Sequence, residues 1–227
     1  HSQLRDVLDP EAIYGEYLYF TGSSASLVEH FRLYAESVMD RYEPSAGNLA
    51  VDIGSNDGTL LRFFQEGGMR VLGIDPARKL AEQATQAGVE TWPAYFSTDL
   101  ARKIRKEYGP AAIVTVNNVF ANVDDIVDMV EGIRELLSPD GLLVFETFYL
   151  VDLVENSAFD FIFHEHLSCY SVKPLQAFFQ THGMQLVDVQ RVPTKGGSIR
   201  GFVRLGTTQV KAPLNVAELI CRENELG

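Results

Sequence analysis

The sequence predicts an α/β protein built on a seven-stranded, mostly parallel sheet that ends in an antiparallel hairpin. Three observations predict it. From Asn48 onward the short apolar runs LAVDIG, RVLGID, AAIVTVNNVF and LLVFETF alternate with helical stretches, the order of repeated βα units. The runs are apolar on both faces, as parallel strands covered by helices on both sides must be. Near the end the rhythm changes, and MQLVDVQRV and SIRGFVRLG, joined by a turn at 193–197, read as two hairpin strands.

Before the first strand, residues 26–42 place Leu27, Phe31, Tyr34, Val38 and Met39 near helical spacing, with Glu29, Arg32 and Glu36 opposite, which predicts an amphipathic lead-in helix. The following helices are TLLRFFQEG, ARKLAEQATQAG, STDLARKIRKEYG and DDIVDMVEGIRELL. Their stop signals are Gly67-Gly68, Gly88, Gly109-Pro110 and Pro139-Asp140-Gly141. A weak strand around ETWPAYF brings the alternating part to five, and the hairpin adds two. A helix over about 174–183 precedes the hairpin, and PLNVAELICRENELG starts another. The expected organisation is a lead-in segment over 1–47, a core domain over 48–210 and the start of a C-terminal extension over 211–227.

Composition narrows the function. The 227 residues carry 19 Lys and Arg against 31 Asp and Glu, a formal charge of −12. That field repels nucleic acid and anionic lipid surfaces. No apolar run approaches the roughly 20 residues of a membrane span, and the start HSQLRDVLDP has no signal-peptide pattern. Cys169 and Cys221 stand far apart without CxxC or Cys/His spacing, so neither a zinc site nor a disulfide framework is expected, and the cytosol fits.

Chemistry concentrates at the strand ends. In VDIGSNDGT, a strand ends in a glycine-bearing turn that opens a helix, the place where open α/β sheets hold ligands. It is neither GxGxxG nor a P-loop, which disfavours a nicotinamide-dependent dehydrogenase. Asp52 within the strand and Asp57 at the helix entrance would repel a pyrophosphate and welcome a cationic ligand; a plain βα turn is the alternative. Asp75, in GIDP 17 residues after Gly58, stands near the spacing at which an acid takes the two hydroxyls of a ribose. It also suits a helix N-cap ahead of Pro76, and the two roles are compatible. Asn117-Asn118-Val119 at the fourth strand end offers amides to a polar ligand or to the backbone. After an aromatic run comes His164-Glu165-His166. HEH lacks HExxH spacing and a completing ligand cluster, so no metal is expected.

These motifs, VDIGSNDG, GIDP and NNVFANVDD in that order, resemble the S-adenosylmethionine-dependent methyltransferases of the Rossmann-like class I fold. Together with YGEYLYFTGSSASLVEHF, HEHLSCYS and GGSIR they resemble the sugar C-methyltransferases, which methylate a nucleotide-linked 4-keto-deoxysugar at carbon 3. The likeness covers nearly the whole chain, and HEH is its most specific part. It implies that Gly54, Asn56 and Asp57 line the methionine side of the cofactor, that Asp75 holds the ribose, and that Tyr95-Phe96 cover the adenine. Asp52, Gly58, Pro76, Asn118 and Val119 complete the expected cofactor site. It further implies His166 as general base with Glu165 beside it, since carbon methylation requires removal of a proton next to a carbonyl. The enolate oxygen then needs a donor or a positive charge, for which Tyr170, Lys195 and Arg200 are candidates. His164, Lys195 and Arg200 are the expected substrate contacts.

Two departures stand out. The family's cysteine-rich zinc module and its C-terminal nucleotide-holding domain are expected to be absent from this chain. Where the family typically has tyrosine just before HEH, this sequence has Phe163, leaving Tyr149 or Tyr170 to supply the hydroxyl, or a different substrate. Tyr14, Tyr17, Tyr19, Thr21, Ser23 and Ser24 either pack or, by the resemblance, form a lid. The expected partner is a small nucleotide-sugar or other keto substrate. The rivals are an O- or N-methyltransferase and a non-catalytic cofactor-binding module.

Overall fold

The computed structural model describes residues 2–4, 7–15, 19–206 and 213–226. Tyr17 of the proposed lid lies outside them. The main sheet has seven strands: β1 (Leu49–Ile53), β2 (Arg70–Ile74), β3 (Thr91–Trp92), β4 (Ala111–Asn117), β5 (Leu137–Phe148), β6 (Met184–Val192) and β7 (Ser198–Leu205). Their order in space is β3-β2-β1-β4-β5-β7-β6. The first five are parallel, and β7 runs antiparallel between β5 and β6. The predicted strand count, the parallel core and the closing hairpin are all present. Ser2–Gln3 forms a second, small sheet with Ser168–Cys169, directly after HEH.

The helices are α1 (Pro10–Tyr14), α2 (Ala25–Tyr42), α3 (Thr59–Glu66), α4 (Arg78–Gln86), α5 (Thr98–Tyr108), α6 (Ile126–Leu136), α7 (Leu150–Glu155), α8 (Val172–Thr181) and α9 (Leu214–Leu226). Local chemistry fixes their starts: the side chains of Ser24, Ser97 and Asp125 accept the amides of Leu27, Leu100 and Asp128. The lead-in helix buries Phe31, Tyr34, Ala35 and Val38, one face at helical spacing. Hydrophobic side chains of α5, α6, α8 and α9 pack with Val51, Val114, Phe145 and Ile199 on one face of the sheet. On the other, α2 and α3 pack with Ala50, Ile113, Val144 and Phe202.

The differences from expectation are local. The weak third strand shrinks to two residues at the sheet edge, where little pairing supports it. Pro139-Asp140-Gly141 follows the end of α6, as its stop signal predicts, and bulges from β5, whose Leu137 pairs with Ala111 and whose Leu142 pairs with Ile113. The six-residue α7 and the small second sheet are too short to carry a periodic signal.

Beneath α2 the sheet is polar where it should be apolar. Asp52, Thr115, Glu146 and Arg200 are buried on neighbouring strands, with Asp52 opposite Thr115 and Glu146 opposite Arg200. Arg200 Nε and Nη2 donate to Glu146 Oε1 at 2.7 and 2.5 Å. His30 of α2 brings Nε2 within 2.9 Å of the second oxygen, and the guanidinium lies 4.0 Å from the Tyr34 ring centroid. Removing one member of such a pair leaves an uncompensated buried charge, at a cost of about 3–5 kcal/mol. Arg200→Met is therefore expected to lower unfolding free energy by about 3 kcal/mol or more, read from urea melts, and the double change with Glu146→Leu to recover much of that loss.

Candidate active site

The carboxyl ends of β1, β2 and β4 open into a cavity of about 900 Å³, the upper end of the size range of small-molecule sites (~300–1,000 Å³). Its floor is the turn after β1. Gly54 has φ +76°, and a Cβ there would strike the Val119 side chain, so the loops after β1 and β4 touch only because glycine stands at this position. Gly54 and Ser55 both donate their amides to the Ile74 carbonyl, at 2.7 and 3.1 Å, tying this loop to the end of β2.

Two buried acids face each other across that floor. Asp75 accepts the amides of Asn56 at 2.8 Å and Ala77 at 2.9 Å; burial nevertheless pushes its carboxyl up. Asp52 accepts the Thr115 hydroxyl at 2.6 Å and is pushed up to about 7, first by burial, against the relief of that hydrogen bond, and further by the charge of Asp75. Near them are polar atoms without a hydrogen-bond partner in the protein: both amide atoms of Asn117, Oδ1 of Asn122 and Oγ of Ser55. All three residues line the cavity. Buried polar groups are rarely left unsatisfied in a folded protein, so such a cluster marks where a ligand completes the bonding.

At the other end stands the HEH segment. His166 is buried, with its ring centroid 4.7 Å from that of Phe148 and 4.4 Å from that of Phe163. Its Nδ1 lies 2.8 Å from the Phe161 carbonyl. A carbonyl only accepts, so Nδ1 carries the proton and Nε2 keeps its lone pair. Burial lowers the pKa of the ring, partly offset by that hydrogen bond. The imidazole is thus neutral and basic near pH 7. Glu165 and Lys195 share the cavity wall with it.

Of the expected residues, Asp52, Gly54, Asn56, Asp75, Pro76, Tyr95, Phe96, Asn118, Val119, Glu165, His166 and Lys195 line this one cavity. Six stand outside its lining. Asp57 turns its carboxylate to its own helix start, accepting Thr59 N, and to the lead-in segment, accepting Gly22 N at 2.8 Å. Gly58 backs onto Val89. Tyr170 is buried with its hydroxyl directed at the Phe120 carbonyl, 3.4 Å away, and Tyr149 gives its hydroxyl to Glu223. His164 is exposed, and Arg200 is held by Glu146. The carboxylates of Asp124, Asp125, Asp128 and Asp160 also line the cavity and were not foreseen. The first three follow NNVFAN in the sequence, where their proximity to that strand end was the available signal.

The lead-in segment closes over the crevice. Asn56, itself at φ +52°, accepts Thr21 N through Oδ1 at 3.0 Å and donates Nδ2 to the Tyr19 carbonyl at 2.8 Å. Tyr95 Oη lies 3.1 Å from Glu11 of α1.

A doubly covered sheet of this strand order, with an acid-lined crevice at its carboxyl edge, defines the class I methyltransferase architecture. The chain belongs to the methyltransferase domain family, whose model matches residues 28–189. It is 38% identical over 224 residues to "C-methyltransferase NovU" of Streptomyces niveus, covering 99% of this chain and 53% of that protein. The chain spans about half the length of the curated relatives it matches. Among solved structures it resembles the PH0226 protein of Pyrococcus horikoshii OT3 at TM-score 0.65 and 13% identity, over 82% of this chain and 94% of that one. It also resembles magnesium protoporphyrin IX methyltransferase (ChlM) of Synechocystis PCC 6803 with bound SAH at TM-score 0.58 and 17% identity, over 85% and 90%. S-adenosylmethionine is the cofactor of this domain, and the residues fit it: paired acids suit a cation and ribose hydroxyls, and unpaired amides suit a polar ligand. Among the described residues no His, Cys, Asp or Glu cluster could hold a metal ion.

Asp52 titrates within the range of ordinary buffers. Its folded pKa is raised from 3.8 to about 7, so the stability it contributes is complete below about pH 4 and is lost as pH rises through 7. Asp52→Asn is expected to flatten the pH dependence of unfolding free energy between pH 4 and 7 and to stabilise the cofactor-free protein at pH 8, both read from urea melts.

Proposed function

We propose that the chain is the catalytic domain of an S-adenosylmethionine-dependent C-methyltransferase that methylates the carbon beside the ketone of a nucleoside-diphospho-4-keto-6-deoxysugar. The observation that carries this reading is the bare Nε2 of His166, lodged in an aromatic cage at the wall of the cofactor cavity. Methylation of oxygen or nitrogen needs little beyond positioning, whereas carbon needs a base. The likeness to a C-methyltransferase over nearly the whole chain supports the same reading.

In this reading Asp75 holds the ribose hydroxyls, Tyr95 and Phe96 flank the adenine, and the amides of Asn117 and Asn118 with the Gly54–Asn56 backbone hold the remainder. Bound there, the cofactor supplies an electrophilic methyl group on a sulfonium. His166 Nε2 takes the proton from the substrate carbon. The Phe161 carbonyl fixes the tautomer that permits this and steadies the imidazolium that results. Phe148 and Phe163 keep water from the ring. The sugar end enters the cavity while its diphosphate stays at the mouth, since the buried acids Asp52 and Asp75 lie within. The segment before α2, clasped by Asn56, serves as the cover.

His166→Asn is expected to cut turnover of a 4-keto sugar by about 100-fold or more, while calorimetry gives an S-adenosylmethionine affinity within twofold of the wild type. Retained turnover assigns the base elsewhere. A product with the new methyl on oxygen or nitrogen overturns the carbon reading, and cofactor binding without turnover on any keto sugar favours a binding module. Gly54→Val, whose side chain must displace Val119, is expected to abolish cofactor binding in the same calorimetry.

A further inference from the structure

We infer that Lys195 is the electrophile of this site, the group whose ammonium receives the negative charge that develops on the substrate's carbonyl oxygen when His166 removes the neighbouring proton. The inference rests on the carbon-methylation reading above and names the residue that reading leaves open.

Of the three candidates for that charge, two are spent elsewhere. The Tyr170 hydroxyl is directed at the Phe120 carbonyl, and Arg200 is bound by Glu146 under α2; neither lines the cavity. Lys195 does, as the only lysine or arginine among the described residues that line it. It shares that wall with Glu165 and His166 and feels the charges of Glu165 and Glu146. Its own charge in turn acts on the His166 ring, so base and cation are neighbours in the same cavity.

The backbone is built to hold it there. Lys195 has φ +52° and ψ 39°, the left-handed region that a side chain disfavours, and such strain persists only where the surroundings over-determine it. They do. The Gly197 amide and the Ser198 hydroxyl both donate to the Thr194 carbonyl, and the Gly197 carbonyl accepts Tyr149 N at 3.1 Å. Asn156 Nδ2 donates to the Gly196 carbonyl at 3.0 Å. Gly197 has φ +128° and lies so close to Asp152 that a Cβ would overlap that side chain. A lysine placed on a turn fixed at four points, facing an acidic cavity, is positioned for more than solubility.

The step balances without a further reagent. The carbon–hydrogen bond breaks, its proton passes to Nε2 of His166, and its electron pair becomes the new carbon–carbon double bond. The carbonyl π pair moves to oxygen, where the ammonium donates a hydrogen bond. That carbon then carries the nucleophilic pair that the methyl donor consumes. Preorganised donors aimed at a developing oxyanion are commonly worth about 100- to 1,000-fold in rate.

Burial lowers the Lys195 pKa from its ordinary 10.5, opposed by Glu165 and then Glu146. The charged groups around it are Glu165, His166 and Asp160 of the HEH segment, Glu146 with Arg200 beneath the sheet surface, and Asp152 with Arg191 beside the turn. The rate should therefore fall at an alkaline limb below the ordinary lysine range.

The test is exchange of the carbon-bound proton for deuterium in D2O, followed by mass spectrometry on a panel of nucleoside-diphospho-4-keto-6-deoxyhexoses with S-adenosylhomocysteine present and no methyl donor. The wild type should exchange one position beside the ketone. Lys195→Met should lower that rate by about 100-fold, and Lys195→Arg should restore part of it and move the alkaline limb above the range measured. Both variants should bind S-adenosylhomocysteine within twofold of the wild type, which establishes that they fold. Exchange by Lys195→Met within threefold of the wild type overturns the assignment to Lys195 and leaves the carbon reading standing. A wild type that exchanges no member of the panel overturns the carbon reading, and the assignment with it.

Discussion

Much of this structure depends on one buried carboxylate. Glu146 sits near the end of β5, the strand where the parallel part of the sheet meets the antiparallel hairpin, and Arg200 of β7 and His30 of α2 both bond to it there. Desolvation makes the unpaired alternative costly, so the three elements have one arrangement with respect to one another. That arrangement fixes what surrounds it. The backbone carbonyl of the same Glu146 accepts Asn118 N at 2.7 Å, setting the loop that meets Gly54. Four residues further, α7 begins and carries Asp152 against the turn that presents Lys195. An interaction beneath the sheet thereby positions both halves of the crevice above it.

The crevice combines two environments that oppose each other. Around the β1 and β2 ends the walls are acidic, the amides unpaired, and water or a polar ligand is required. Around His166 the walls are Phe148, Phe161 and Phe163, and a charged ring is penalised. Phe163, the residue that departs from the family's tyrosine, belongs to this second environment: it packs against His166 rather than supplying a hydroxyl. Neither Tyr149 nor Tyr170 replaces that hydroxyl, because both are committed to other partners.

The sequence is informative wherever a side chain's role is local. The β-branched runs, the serine and aspartate caps and the glycine stops mark the strands and helices because periodicity and capping act over a few residues. VDIGSNDG and GIDP are legible as a ligand loop for the same reason, since the strand, the turn and the acid follow one another in the chain. What was hidden is long-range. Arg200 reads as a free cation next to GGS until Glu146, 54 positions earlier, is found opposite it in the sheet. Asp57 reads as a cofactor contact until Gly22 is found on it. Conversely, Asp124, Asp125 and Asp128 look like an ordinary solvated helix start, and only the fold brings them, the first two still exposed, alongside the cavity.

The acids that line the crevice have a consequence for release. A methyl transfer changes the cofactor's sulfur from a sulfonium to a neutral thioether while every carboxylate around it stays where it was. In the proposed function, Coulomb attraction between that sulfur and the acidic wall is present before the reaction and gone after it, while the amino group and the ribose hydroxyls keep their partners. The wall thus discriminates between fresh and used cofactor by charge, two molecules that otherwise differ by a single methyl group, and it does so without any part of the protein having to move.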